Sequence, residues 1–189
     1  MGYIKAEQVL NDGGVIVFPC DTVIGVGCRM DNAKAIRRLY EIKRRPFSQP
    51  TAVLVSDAEM AKSLMRNPDP GLVSILEEYW PGALTIVVEA SDIVPSEILG
   101  GASEVGIRVP DFPKLQLLIS NIGIPLVATS ANFKGEKNPL HFDEVSKEFL
   151  ALIDYAIEED STGSMASTLV RFNDMGRIEY IRKGEIQIK

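Results

Sequence analysis

The sequence predicts an α/β domain with a mixed sheet, and three observations carry that prediction. Short apolar runs rich in β-branched residues alternate with segments of helical period along most of the 189 residues. The chain closes on strand-like runs, which argues for a mixed sheet. No repeat, low-complexity tract or Gly/Ser linker interrupts it, so residues 1–189 are expected to form a single domain with its own core.

Residues 3–11 carry Ala6, Val9 and Leu10 at helical spacing, then meet Asp12-Gly13-Gly14, where glycine can take the left-handed conformation that ends a helix. Residues 15–18 are a short apolar strand stopped by Pro19. Asp31 is expected to cap a second helix. That helix puts Ile36, Leu39, Tyr40 and Ile42 on one face and Lys34, Arg37, Arg38 and Glu41 on the other. Pro46 cannot continue it, so residues 43–45 lie at its end or in the following loop. Residues 52–55 read as a strand, and Asp57 opens a helix with Met60, Leu64 and Met65 inward. A helix over 72–79, strands over 84–88 and 105–109, and a helix over 115–122 follow. A strand over 126–128 delivers the chain into Thr129-Ser130-Ala131-Asn132. A helix is expected over 143–150, then strands over 154–157, 168–172 and 178–181, the last two joined by a turn at 173–176.

Hydrophobic residues make up 46% and charged residues 24%, the balance of a soluble globular protein. No apolar run reaches the ~18 residues of a membrane helix, and the first ten residues lack the pattern of a secretory signal. A cytoplasmic location without membrane contact is the expectation. Cys20 and Cys28 lack CxxC spacing and read as small buried hydrophobes. The single histidine, His141, excludes a multi-His metal site and argues against a Ser-His-Asp triad; a surface loop suits it better.

The formal charge of −6 works against the broad basic face that nonspecific nucleic-acid binding needs. Positive charge is instead local, with Arg37, Arg38, Lys43, Arg44 and Arg45 within nine residues. Such a cluster is either a site for a small anionic ligand or a solvated helix face. Arg108, inside an apolar strand, must find a carboxylate partner or face an anionic ligand. Neither Gly-x-x-x-x-Gly-Lys-Ser/Thr nor Gly-x-Gly-x-x-Gly occurs, so separate basic and hydroxyl groups must supply any phosphate contacts. Polar clusters lie immediately beside strands, where α/β proteins place ligands. They are Pro19 to Thr22, Lys43 to Pro46, Arg108, Thr129 to Asn132, Ser167-Thr168 and Arg182-Lys183-Gly184.

Taken in order, these segments resemble the YrdC/Sua5 family. Its pattern runs Gly-Gly, apolar strand, Pro-Thr-Glu-Thr-x-Tyr-Gly-Leu-Gly, Lys-x-Arg-Pro-x-x-x-Pro-Leu, Trp-Pro-Gly-Pro-Leu-Thr, Val-Arg-x-Pro, Thr-Ser-Ala-Asn, Ser-Thr and Arg-x-Gly. Here stand Gly13-Gly14, Pro19-Cys20-Asp21-Thr22-Val23-Ile24-Gly25-Val26-Gly27 and Lys43-Arg44-Arg45-Pro46-Phe47-Ser48-Gln49-Pro50. Trp80-Pro81-Gly82-Ala83-Leu84-Thr85, Arg108-Val109-Pro110, Thr129 to Asn132, Ser167-Thr168 and Arg182-Lys183-Gly184 complete the set.

The resemblance implies an open twisted mixed sheet with flanking helices and a concave basic groove. It implies a threonylcarbamoyl-AMP synthase that turns ATP, L-threonine and bicarbonate into threonylcarbamoyl-AMP and pyrophosphate. That is the first step of tRNA threonylcarbamoyladenosine (t6A) synthesis. Mg²⁺ is expected to arrive on the ATP phosphates, with no tightly bound protein-ligated metal. Lys43 and Arg45 match the catalytic, phosphate-contacting pair. Thr22, Arg108 and Ser167 match the threonine and carbamate side. Gln49, Ser130, Asn132, Asn138 and Arg182 match nucleotide contacts. Expected partners are separate t6A transferase proteins and tRNA. The alternative is a paralogue without synthase activity that binds double-stranded RNA or the ribosome, with weak RNA binding. Cys20, Ile24, Thr51 and Lys134 depart from the family pattern, and Leu54 stands where longer members carry His. The second domain of those longer members has no counterpart in residues 1–189.

Overall fold

The computed structural model describes residues 2–172 and 178–188. Among these, α1 (Gly2–Asn11) is followed by β1 (Ile16–Phe18), β2 (Gly25–Arg29), α2 (Ala33–Ile42) and β3 (Val53–Leu54). Then come α3 (Ala58–Ser63), α4 (Pro70–Tyr79), β4 (Leu84–Glu89), β5 (Glu104–Arg108), α5 (Pro113–Ile122) and β6 (Leu126–Ser130). The chain ends with α6 (Lys147–Leu150), β7 (Tyr155–Ala156), β8 (Thr168–Phe172) and β9 (Ile178–Arg182). The strands form one open sheet in the order β7-β1-β2-β6-β3-β5-β4-β8-β9. Pairing is parallel for β1/β7, β3/β5 and β4/β8, and antiparallel for the other neighbours.

Side chains alternate across this sheet and build a core on each face. On β1, Ile16 and Phe18 point to the side covered by α1 and α5, where they meet Leu10, Leu115, Leu118 and Ile119. Val15 and Val17 point the other way, into the larger core with Ile36, Leu39, Leu64, Leu72 and Leu76.

Four expectations change. Residues 25–29 form a central strand that glycines conceal; β2 pairs with both β1 and β6. A Cβ on Gly27 would lie 2.5 Å from the Val127 carbonyl oxygen, and one on Gly25 would lie 2.6 Å from the Phe18 ring. Asn32 rather than Asp31 caps α2, its side chain accepting from Ala35 N, because Asp31 is engaged by Arg29. The helix expected over 143–150 is split. A short 3-10 turn (Phe142–Glu144) gives way to extended backbone at Val145, and Ser146 caps α6 anew. The helix opened by Asp57 stops at Ser63, so Leu64 and Met65 pack inward from beyond its end. The turn expected at 173–176 lies outside the described residues. His141 is exposed, and both cysteines are buried and free.

Candidate active site

A cavity of about 400 Å³ opens over strands β1 to β6, β8 and β9, and every candidate residue lines it. Thr22, Lys43, Arg45, Gln49, Arg108, Ser130, Asn132, Asn138, Ser167 and Arg182 converge there from segments far apart in sequence. Lys134 adds a further cation and Glu136 a carboxylate.

One wall is built around Arg108 at the end of β5, a side chain only 5% exposed. Its Nε donates to the Gly82 carbonyl at 2.9 Å, Nη1 to Thr22 Oγ1 at 2.9 Å, and Nη2 to Asp21 Oδ1. The buried guanidinium thus has its carboxylate and faces the cavity as well. Three of its five N–H groups are committed to protein, leaving two for a ligand. The Cys20 thiol also donates to Asp21 Oδ1, at 3.1 Å. Burial first, against the pull of Arg108, pushes the Cys20 pKa up to about 12. A strap over residues 161–163 holds this turn: Cys20 N donates to Ser161 Oγ and Thr162 N to the Cys20 carbonyl. Gly163 lets the strap approach, since a Cβ there would sit 2.3 Å from the Asp21 carbonyl oxygen.

The opposite wall starts at the C-terminus of α2. Lys43 Nζ donates to the Ser130 carbonyl at 2.5 Å, to the Asn132 carbonyl and to Asn132 Oδ1 at 3.1 Å. Burial, then the charge of Arg45, lowers its pKa to about 7. At Arg44 the backbone turns left-handed (φ 52°), which sends successive side chains apart. Arg44 leaves for the surface, lying over the Phe133 ring and pairing with Glu148 at 2.6 Å. Arg45 turns inward, donates to the Pro50 carbonyl, and keeps its buried Nε without a protein partner. The basic cluster therefore divides: Arg37, Arg38 and Arg44 form outer ion pairs, while Lys43 and Arg45 face the cavity. Tyr40 braces the intervening loop by stacking on Phe47 at 4.7 Å and donating to the Gln49 carbonyl at 3.0 Å.

The floor is closed by β8 and β9. Arg182 donates through Nε and Nη2 to the Ser167 carbonyl and through Nη2 to Ser167 Oγ. Desolvation, then the charge of Arg108, lowers its pKa. Gly184 packs on this segment; a Cβ there would lie 2.3 Å from the Ala166 carbonyl oxygen.

A family model described as Sua5/YciO/YrdC, telomere recombination, matches residues 8–184. The chain belongs to the Sua5/YciO/YrdC family. Threonylcarbamoyl-AMP synthase of Bacillus subtilis is 30% identical over 160 residues, 84% of this chain and 46% of its own length. The enzyme of that name from Pseudoalteromonas translucida is 29% identical over 178 residues, 92% of this chain and 94% of its own. Among solved structures, Pyrococcus abyssi Sua5 complexed with L-threonine superposes with a TM-score of 0.91 at 28% identity. That superposition covers 96% of this chain and 54% of the Pyrococcus chain.

Against the family pattern, the departures at Cys20 and Leu54 lie in the cavity wall, while Ile24 is fully buried beside it. The sequence reading missed Thr85 and gave Asp21 no role of its own. Asp21 sits inside the quoted motif, and Thr85 is a lone hydroxyl between Leu84 and Ile86 in a buried strand. The signal for Thr85 was a polar side chain inside an apolar strand, and for Asp21 it was the need of Arg108 for a carboxylate.

Proposed function

We propose that this protein is a threonylcarbamoyl-AMP synthase acting in t6A synthesis, with residues 1–189 read as one YrdC-like domain working in the cytoplasm. Its substrates are ATP, L-threonine and bicarbonate. The observation that carries the proposal is the convergence of Thr22, Lys43, Arg45, Arg108, Ser167 and Arg182 on one cavity. Likeness to enzymes of that name, and to a Sua5 structure holding L-threonine, supports it.

The chemistry needs no covalent enzyme intermediate. The threonine amine attacks the carbon of bicarbonate and loses water, giving a carbamate. A carbamate oxygen then attacks the α-phosphorus of ATP, and the bond to the β-phosphate breaks to release pyrophosphate. The protein's task is to hold two anions together and offset charge on the phosphates. Arg108 offers its two free N–H groups to the threonine carboxylate, with Thr22 and Ser167 beside it. Arg45 presents its unpartnered Nε to the phosphates, and Lys43 supplies charge through the Ser130–Asn132 turn it pins. Gln49, Ser130, Asn132, Asn138 and Arg182 frame the nucleotide.

Mg²⁺ belongs to this reaction through ATP. A wall with Lys43, Arg45, Arg108, Lys134 and Arg182 against the Glu136 carboxylate does not fit a protein-held cation, but suits one carried in on phosphates. The product passes to separate t6A transferase proteins acting on tRNA.

The test is pyrophosphate release from ATP with Mg²⁺ and bicarbonate, with and without L-threonine. Release that requires both, and falls at least ~100-fold in Lys43→Ala and Arg45→Ala, is the expected result. A folded protein that releases none with any amino acid refutes the reading.

A further inference from the structure

Two hydroxyls in the cavity wall form one unit. Thr85 on β4 and Ser167 just ahead of β8 are 4% and 6% exposed. Their oxygens lie 2.7 Å apart. Arg182 Nη2 donates to Ser167 Oγ at 3.1 Å, which uses an oxygen lone pair and supplies no acceptor. The pair owns two hydroxyl hydrogens. One lies between the oxygens, whichever residue donates it. The other has no protein acceptor among the described residues, and both side chains line the cavity. A buried hydroxyl hydrogen is costly until water or a ligand accepts it.

The pair is also held in place. A Cβ on Gly106 would lie 3.3 Å from Thr85 Cγ2, so the Thr85 methyl rests over the glycine of the neighbouring strand. The Ser167 carbonyl takes both Nε and Nη2 of Arg182, whose pKa in turn responds to Arg108. This corner therefore joins one free O–H to neighbouring guanidiniums, a set that matches an oxyanion.

We propose that Thr85 and Ser167 act as a single donor, presenting one O–H to a carboxylate or carbamate oxygen of the amino-acid substrate. Ser167 is the side chain already matched to that substrate; Thr85 is the positioning residue that sets the direction of the shared hydrogen. The inference rests on reading the cavity as a threonylcarbamoyl-AMP synthase site.

The experiment compares wild type, Thr85→Val, Thr85→Ser, Ser167→Ala and the double variant Thr85→Val/Ser167→Ala. L-threonine binding is measured by calorimetry, and KM and kcat by pyrophosphate release. Thr85→Val keeps the volume but removes the hydroxyl. It is expected to raise the Kd and KM for threonine roughly tenfold, as for one lost hydrogen bond, with the KM for ATP within about twofold. Thr85→Ser should return both to within about twofold of wild type. Because the hydroxyls act as one, the double variant should bind threonine within about twofold of Ser167→Ala alone.

Wild-type threonine binding by Thr85→Val, or losses that multiply in the double variant, overturn the proposal. Urea unfolding of each variant separates a folding defect, and Thr85→Ala replaces Thr85→Val if the valine does not fold. A wild type that binds threonine but releases no pyrophosphate refutes the synthase reading alone, and the hydroxyl pair is then decided by the binding series. A wild type that binds no amino acid overturns both.

Discussion

Lys43 is a cation placed where neutrality is nearly as favourable. The Ser130 and Asn132 oxygens around Nζ favour the ammonium, while burial and Arg45 oppose it and bring the pKa from 10.5 to about 7. Phosphates arriving beside Nζ raise that value again. ATP binding at pH 8 should therefore take up close to one proton, and at pH 6 close to none. Calorimetry in two buffers of different ionisation enthalpy reads this directly. A buffer-independent enthalpy at pH 8 refutes it, and Lys43→Met should abolish the uptake. The same shift sets a sign for stability. Between about 7 and 10.5 the unfolded chain holds the lysine proton and the folded chain does not. This group thus makes the unliganded protein more stable as pH rises through that window, and it is a burden below it.

Among the elements, β2 shows what close backbone approach demands. It runs between β1 and β6, and the Val127 carbonyl oxygen and the Phe18 ring occupy the space that side chains at Gly27 and Gly25 would need. Gly27→Ala should destabilise the protein by about 1–3 kcal/mol, the usual cost of overpacking. It would appear as a lower urea midpoint at unchanged slope; an unchanged midpoint would show that the strand can shift to admit a methyl. The same glycines explain why β2 was illegible in the sequence: with no side chain at alternate positions, Val26 and Cys28 leave half an alternation. Strands β1 and β4 were legible because β-branched residues fill both faces, and β8 because Thr168 and Val170 alternate with Leu169 and Arg171. Asp57 was readable as a cap because nothing competes for it but Ser56, whereas Asp31 is taken by Arg29 across a turn that only the fold creates. The site residues were legible as polar groups beside strands, carried by the family resemblance. Their partners were not, because the pairing of Asp21 with Arg108 and of Thr85 with Ser167 spans 87 and 82 positions.

For the whole molecule, a formal charge of −6 coexists with a cavity lined by Lys43, Arg45, Arg108, Lys134 and Arg182, while several outer cations are neutralised in place. Arg37, Arg38, Arg44, Lys114 and Arg171 pair with Glu97, Asp154, Glu148, Glu159 and Glu104, while Lys43 and Arg45 form no ion pair among the described residues. Lys43 and Arg45 thus bring unpaired positive charge into a cavity sized for small anions, which differs from a broad face that could follow a nucleic-acid backbone. The wall draws on β1 to β6, β8 and β9, so a ligand there bridges most of the sheet and should oppose global unfolding. With either ATP or L-threonine at about a hundredfold over its Kd, linkage gives about 2.7 kcal/mol. For a domain of this size that is a rise in Tm of roughly 5–11 °C. Thermal unfolding with ATP and threonine, and separately with a double-stranded RNA at the same ionic strength, checks the assignment. A rise with the small ligands and none with RNA is expected. A rise with RNA that collapses in added salt, and none with ATP, would mean that the cavity's charge serves a polyanion instead.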